Sequence, residues 1–93
     1  MPDTLIAYRK VTVLIELKAP ASMTDLEITP VQADWARRWS IAGGTSWFLI
    51  ALNHQVYLAP GVYGKRLIKN PTEIRRWQVA NYAAAIQTIL GAR

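Results

Sequence analysis

No cysteine occurs anywhere in the chain, which excludes a disulfide framework and a thiolate metal centre at once. Acidic residues are scarce too, six against eleven lysines and arginines, so the formal charge is +5 and the balance favours a polyanionic partner. Histidine is represented once, by His54 in "LNHQ", which reads as an exposed turn residue with no identified catalytic partner. No apolar run approaches the roughly 20 residues of a membrane span, and the first residues lack the basic region and cleavage site of a signal peptide. Internal repeats, low-complexity tracts and linkers are missing, so residues 1–93 read as one domain inside the cell. The pair Gly43-Gly44 lacks the further glycines and the lysine of a phosphate-binding loop, which leaves it as a helix stop.

What the chain has in quantity is apolar and aromatic side chains: 52% of residues are hydrophobic, with four Trp and four Tyr. A domain of this length buries only roughly 60–65% of the surface its unfolded chain exposes. A homodimer is therefore expected, with Trp35, Trp39, Trp47 and Trp77 in the core or the dimer interface; stacking on unpaired bases is the other role such residues serve. Basic residues cluster at Arg9-Lys10, Arg37-Arg38, Lys65-Arg66 and Arg75-Arg76, a pattern shared by solvated faces and by nucleic-acid contacts.

Thr4 to Tyr8 and Val11 to Ala19 are rich in β-branched and aromatic residues and predict a hairpin about Arg9-Lys10, ended by Pro20. Thr29-Pro30-Val31-Gln32 opens a helix: Thr at the N-cap, Pro at the first helical position, Gln completing a capping box. Val31, Trp35, Arg38-Trp39 and Ala42 follow at helical spacing, up to Gly43-Gly44. "TSWFLIAL", Thr45 to Leu52, is nearly continuously apolar and predicts a central strand buried on both faces. Asn53-His54 predicts a turn, Gln55 to Ala59 a further strand, and Pro60-Gly61 its end. Asn70-Pro71-Thr72-Glu73 then reads as the start of a long C-terminal helix to Leu90, with Ile74, Trp77, Tyr82, Ala85, Ile86 and Ile89 on one side. The expectation is an α/β fold, a small mixed β-sheet with flanking helices in the order ββαββα.

Charged residues interrupt the predicted hairpin. Alternation puts Glu16 and Lys18 on one face of the second strand. An even-length turn at Arg9-Lys10 opposes residues whose numbers sum to nineteen, which sets Asp3 against Glu16 and places Asp3, Glu16 and Lys18 together. Glu-x-Lys alone is an ordinary ion pair on a strand. Two opposed carboxylates, however, repel, and a hard divalent cation bound by carboxylate and backbone oxygens would relieve that repulsion.

Pro2-Asp3, twelve intervening residues and Glu16-Leu17-Lys18 resemble the signature of the PD-(D/E)xK nuclease superfamily. "ITPVQADWARRWSIAGGTSWFLIAL" is similar to the helix and strand of its VRR-NUC and phage Holliday-junction-resolvase-like members, and the resemblance spans roughly Pro2 to Pro60. It implies a restriction-endonuclease-like core and a metal-dependent endonuclease cleaving DNA, including branched or junction DNA, in the cytoplasm of a bacterial or phage-infected cell. It further implies Mg²⁺ or Mn²⁺ bound by Asp3, Glu16 and the Leu17 carbonyl, and Lys18 orienting the attacking water. Gln32 matches the family's helix glutamine near the active site and equally completes the capping box. Family members usually carry a helix before the Pro-Asp, often with another acid. Here the chain begins at Met1, and the predicted C-terminal helix is the element available for that place, with Glu73 or a partner subunit as a source of acid. A reduced or inactive metal site, on a nucleic-acid-binding or protein-interaction module, is the alternative.

Overall fold

The computed structural model describes residues 4–8 and 11–91, with side chains from residue 13 onward. Strands β1 (Thr4–Tyr8) and β2 (Val11–Lys18) pair antiparallel, with Tyr8 opposite Val11, Ile6 opposite Val13 and Thr4 opposite Ile15. Every pair sums to nineteen, the register expected of an even turn; Arg9-Lys10 itself lies outside the described residues. Helix α1 (Pro30–Ile41) leads into β3 (Thr45–Leu52), which runs parallel to β2, and β4 (Gln55–Pro60) returns antiparallel. The two-residue loop between β3 and β4 places Asn53 and His54 at φ 52° and 61°, the left-handed pair that a tight hairpin requires. A two-residue strand β5 (Gln78–Val79) extends this four-stranded mixed sheet to the order β1-β2-β3-β4-β5, with β3 at its centre.

Helix α1 begins as its sequence dictates. Thr29 Oγ1 accepts from the Gln32 amide at 3.1 Å, and Gln32 Oε1 accepts from the Thr29 amide at 3.0 Å. Its end is a Schellman turn: Gly43 at φ 96° donates to Ser40, and Gly44 to Trp39. The side of α1 turned to the sheet is Ala33 and Ala36, while Val31 and Trp35 are 61% and 42% exposed. Small residues win that face because the chain beyond β4 presses against it. A Cβ on Gly64 would stand 2.9 Å from both Ala33 Cβ and Phe48 Cε2, closer than real contacts allow.

The two sheet faces have separate cores. Leu26, Ile28, Ala33, Ala36, Phe48, Ile50, Tyr57, Leu67 and Ile74 form one; Val13, Ile15, Leu49, Val56, Leu58, Ala85 and Ile89 form the other. This division explains why the long C-terminal helix does not form. After a single 3-10 turn (Gly61–Tyr63) comes a short α2 (Gly64–Lys69), then a 3-10 helix (Pro71–Trp77), β5, and α3 (Tyr82–Gly91). Ile74 belongs to the first core and Ala85 and Ile89 to the second, so the chain must cross the β4 edge between them, which no continuous helix could do. Asn70 closes α2 through its amide and makes no side-chain cap; the cap of the last helix is Asn81, whose Oδ1 accepts from Ala84 at 2.8 Å. The order is therefore ββαββααβα by strand and helix, counting the 3-10 helix Pro71–Trp77 with the helices, rather than ββαββα. No helix among the described residues is long and apolar enough to cross a membrane.

Candidate active site

On β2, Leu14, Glu16 and Lys18 pair with Ser46, Phe48 and Ile50 of β3, so all six point to the face covered by α1. Glu16 is fully buried there at 0% exposure, beside Leu14, Phe48 and Ile50, which are equally buried. A charged carboxylate in such surroundings is a costly choice for stability alone, even when it is partnered. Lys18 follows at the strand end, half-buried, beyond which the chain leaves the sheet. Leu17 points to the opposite face and is 49% exposed.

The β2-α1-β3 crossover determines what stands near Lys18. Because β2 and β3 are parallel, α1 must run back against them, so its first turn, with Gln32, lies at the end of the sheet where β2 finishes. Gln32 is half-buried and its Oε1 closes the capping box, so the structural role expected of it is filled. Asp3 lies outside the described residues. The β1-β2 register is described as far as Thr4 opposite Ile15.

Among the described residues no three His, Cys, Asp or Glu side chains converge. Glu73 is engaged elsewhere, accepting from Arg66 Nε at 2.9 Å and lying 3.6 Å from Arg76 Nη1. His54 is exposed in its turn, as expected.

Sequence reasoning missed Ser46. Its hydroxyl, buried beside Glu16's face, donates to the Ala36 carbonyl at 2.9 Å and shares a 2.8 Å hydrogen bond with Ser40. These contacts clamp α1 onto β3. The available signal was a second small polar residue, after Thr45, at the head of the otherwise apolar "TSWFLIAL", where a buried hydroxyl demands an internal partner.

Comparison of the chain with family profiles, curated proteins and solved structures finds no match.

Proposed function

We propose that the protein is a metal-dependent endonuclease that cleaves DNA phosphodiester bonds, with a restriction-endonuclease-like core formed by β1, β2, α1 and β3. The observation that carries this reading is the fully buried Glu16, placed one residue from Lys18 on the sheet face that α1 covers. The nineteen-sum register over Thr4–Tyr8 supports it, being the register on which the sequence reading opposes Asp3 to Glu16.

The donor set suits a hard cation. Glu16, Asp3 and the Leu17 carbonyl offer oxygen only, which fits Mg²⁺ or Mn²⁺ and not a thiophilic metal. Bound there, such an ion would supply charge neutralisation at the phosphate and a water acidified toward neutral pH. Lys18, at the strand end, directs its ammonium to the attacking water and to charge developing on the phosphate oxygens. Gln32, fixed by the Thr29 cap, orients the first turn of α1 toward the same end of the sheet. No covalent nucleophile is needed. Exposed Val31 and Trp35, one helical turn apart on α1, support assembly as a homodimer that acts on paired strands or junction arms.

The test is incubation with supercoiled plasmid and four-way-junction DNA in Mg²⁺, Mn²⁺ or EDTA. Cleavage is expected with either metal and none in EDTA, and Lys18→Ala should slow it at least about 10²-fold, as removal of a single transition-state stabiliser does. Undiminished cleavage by Lys18→Ala, or in EDTA, overturns the reading.

A further inference from the structure

Most of the net positive charge of the chain is concentrated in one stretch. Residues 1–60 hold five basic and five acidic residues and are neutral; residues 61–80 hold five basic residues against the single acid Glu73, a net +4 of the chain's +5. In the fold this stretch is α2 followed by the 3-10 helix Pro71–Trp77. A solvated basic face ordinarily interleaves acids with its lysines and arginines. Here the one acid is turned inward on the segment itself.

The segment is fastened at several points. Leu67 and Ile74 are its anchors, each 0% exposed in the same core as Phe48 and Ile50. Tyr63 and Trp77, at its two ends, pack with ring centroids 5.0 Å apart, and the Arg76 guanidinium lies 5.2 Å from the Trp77 ring. Glu73 ties Arg66 of α2 to the 3-10 helix at 2.9 Å. With Arg66 and Arg76 committed to Glu73, the segment's cations with no ion-pair partner among the described residues are Lys65, Lys69 and Arg75, all exposed. Lys65 and Lys69, four apart on α2, lie on one side of that helix.

We propose that this fastened segment is a phosphate-backbone clamp for duplex DNA, with Lys65, Lys69 and Arg75 as its contacts. It stands on the sheet face that carries Glu16 and Lys18, and it holds a strand there without reading its sequence. The rigid mounting matters, because a backbone already anchored by Leu67 and Ile74 needs no ordering when phosphates arrive, which leaves only the three side chains to be immobilised. The inference builds on the nuclease reading by assigning its substrate grip to residues apart from the chemistry.

The experiment is fluorescence anisotropy of a labelled DNA duplex, titrated with salt in EDTA so that no cleavage intervenes. Lys65→Ala/Lys69→Ala/Arg75→Ala should lower the log-log salt slope by about 2.7, at about 0.9 for each phosphate no longer neutralised, and weaken binding a few hundred-fold near 0.1 M salt. Arg37→Ala/Arg38→Ala, which removes two α1 cations paired with Asp34, should leave the slope unchanged. Equal melting curves for the three proteins exclude unfolding as the cause. An unchanged slope in the triple variant, an equal loss per charge in the α1 variant, or triple-sensitive binding to phosphatidylserine vesicles with none to DNA overturns the clamp. The two readings fail separately. Slope loss without metal-dependent cleavage of any DNA keeps the clamp and removes the nuclease; metal-dependent cleavage at undiminished kcat/KM by the triple variant does the reverse.

Discussion

Substituting Gly61 by Ala tests the contact that seats α1 on the sheet. Gly61 lies outside the left-handed region, so its backbone would accept alanine, and relief of unfolded-chain entropy alone would stabilise the protein by about 0.4–1 kcal/mol. The surroundings oppose this. An added Cβ would stand 1.9 Å from Ser46 Oγ, 2.7 Å from Ser46 Cβ and 3.0 Å from Ala36 Cβ. Rotating Ser46 removes only the first clash, and does so by breaking its bonds to the Ala36 carbonyl and to Ser40. Overpacking contributes roughly 1–3 kcal/mol, and each broken hydrogen bond about 0.5–1.5 kcal/mol. The net destabilisation should be about 2–4 kcal/mol, or a fall in Tm of roughly 10–25 °C for a domain of this size. Thermal and urea unfolding followed by circular dichroism measure it. Adding Ser46→Gly should recover at least about 1 kcal/mol of the interaction in a double-mutant cycle, although glycine weakens the strand itself. A Gly61→Ala protein as stable as the parent, or more so, would refute the close approach of Gly61 to Ser46 and Ala36.

If Glu16 holds a cation, millimolar Mn²⁺ should raise the Tm of the parent, with saturation a hundredfold above Kd worth about 2.7 kcal/mol, and Glu16→Gln should abolish that rise; differential scanning calorimetry with and without metal decides it. Thr29→Ala removes the α1 cap and should cost about 1 kcal/mol in urea unfolding. Gln32→Ala should lose a similar amount and, if its position beside β2 serves catalysis, cut cleavage further than Thr29→Ala does. Asn81→Ala should likewise destabilise by about 1 kcal/mol through the α3 cap, leaving cleavage intact. Val31→Ser/Trp35→Ser should shift the dimer expected in light scattering to monomer, since both side chains are exposed and their removal disturbs no core.

Local signals were legible wherever they were satisfied within a few residues. The Thr29-Gln32 box, the Gly43-Gly44 stop, the Asn53-His54 turn and the nineteen-sum register each depend on near neighbours, and all appear as expected, with the Arg9-Lys10 turn itself outside the described residues. Long-range packing was not legible. Trp35 and Ala33 sit on different sides of one helix, and the choice between them is made by Gly64, some thirty residues later. Ile74 and Ile89 fit one helical stripe in sequence, yet serve opposite faces of the sheet. For the site, alternation placed Glu16 and Lys18 on one face, but the complete burial of Glu16 came from α1 and the residues beneath it. The basic stretch of residues 61–80 reads in sequence as separate pairs, and only the folding of α2 against the 3-10 helix, tied by Arg66 and Glu73, joins them into one charged block.

The crossing of the chain at the β4 edge separates α3 energetically from the rest of the fold. This helix has ten residues, shorter than the roughly 12–15 at which an isolated helix becomes marginal in water, and only Ala85 and Ile89 are buried beneath it. Its tether, β5, makes two residue pairs with β4. In native-state hydrogen exchange α3 should therefore behave as its own foldon, its amides exchanging through detachment while those of β2 and β3 wait for global unfolding. Each detachment bares Val13, Ile15, Leu49, Val56 and Leu58 together, an apolar sheet face that would then be open to a second chain. Conditions that favour that opening, such as mild denaturant, should promote aggregation before they abolish the α1 side of the fold.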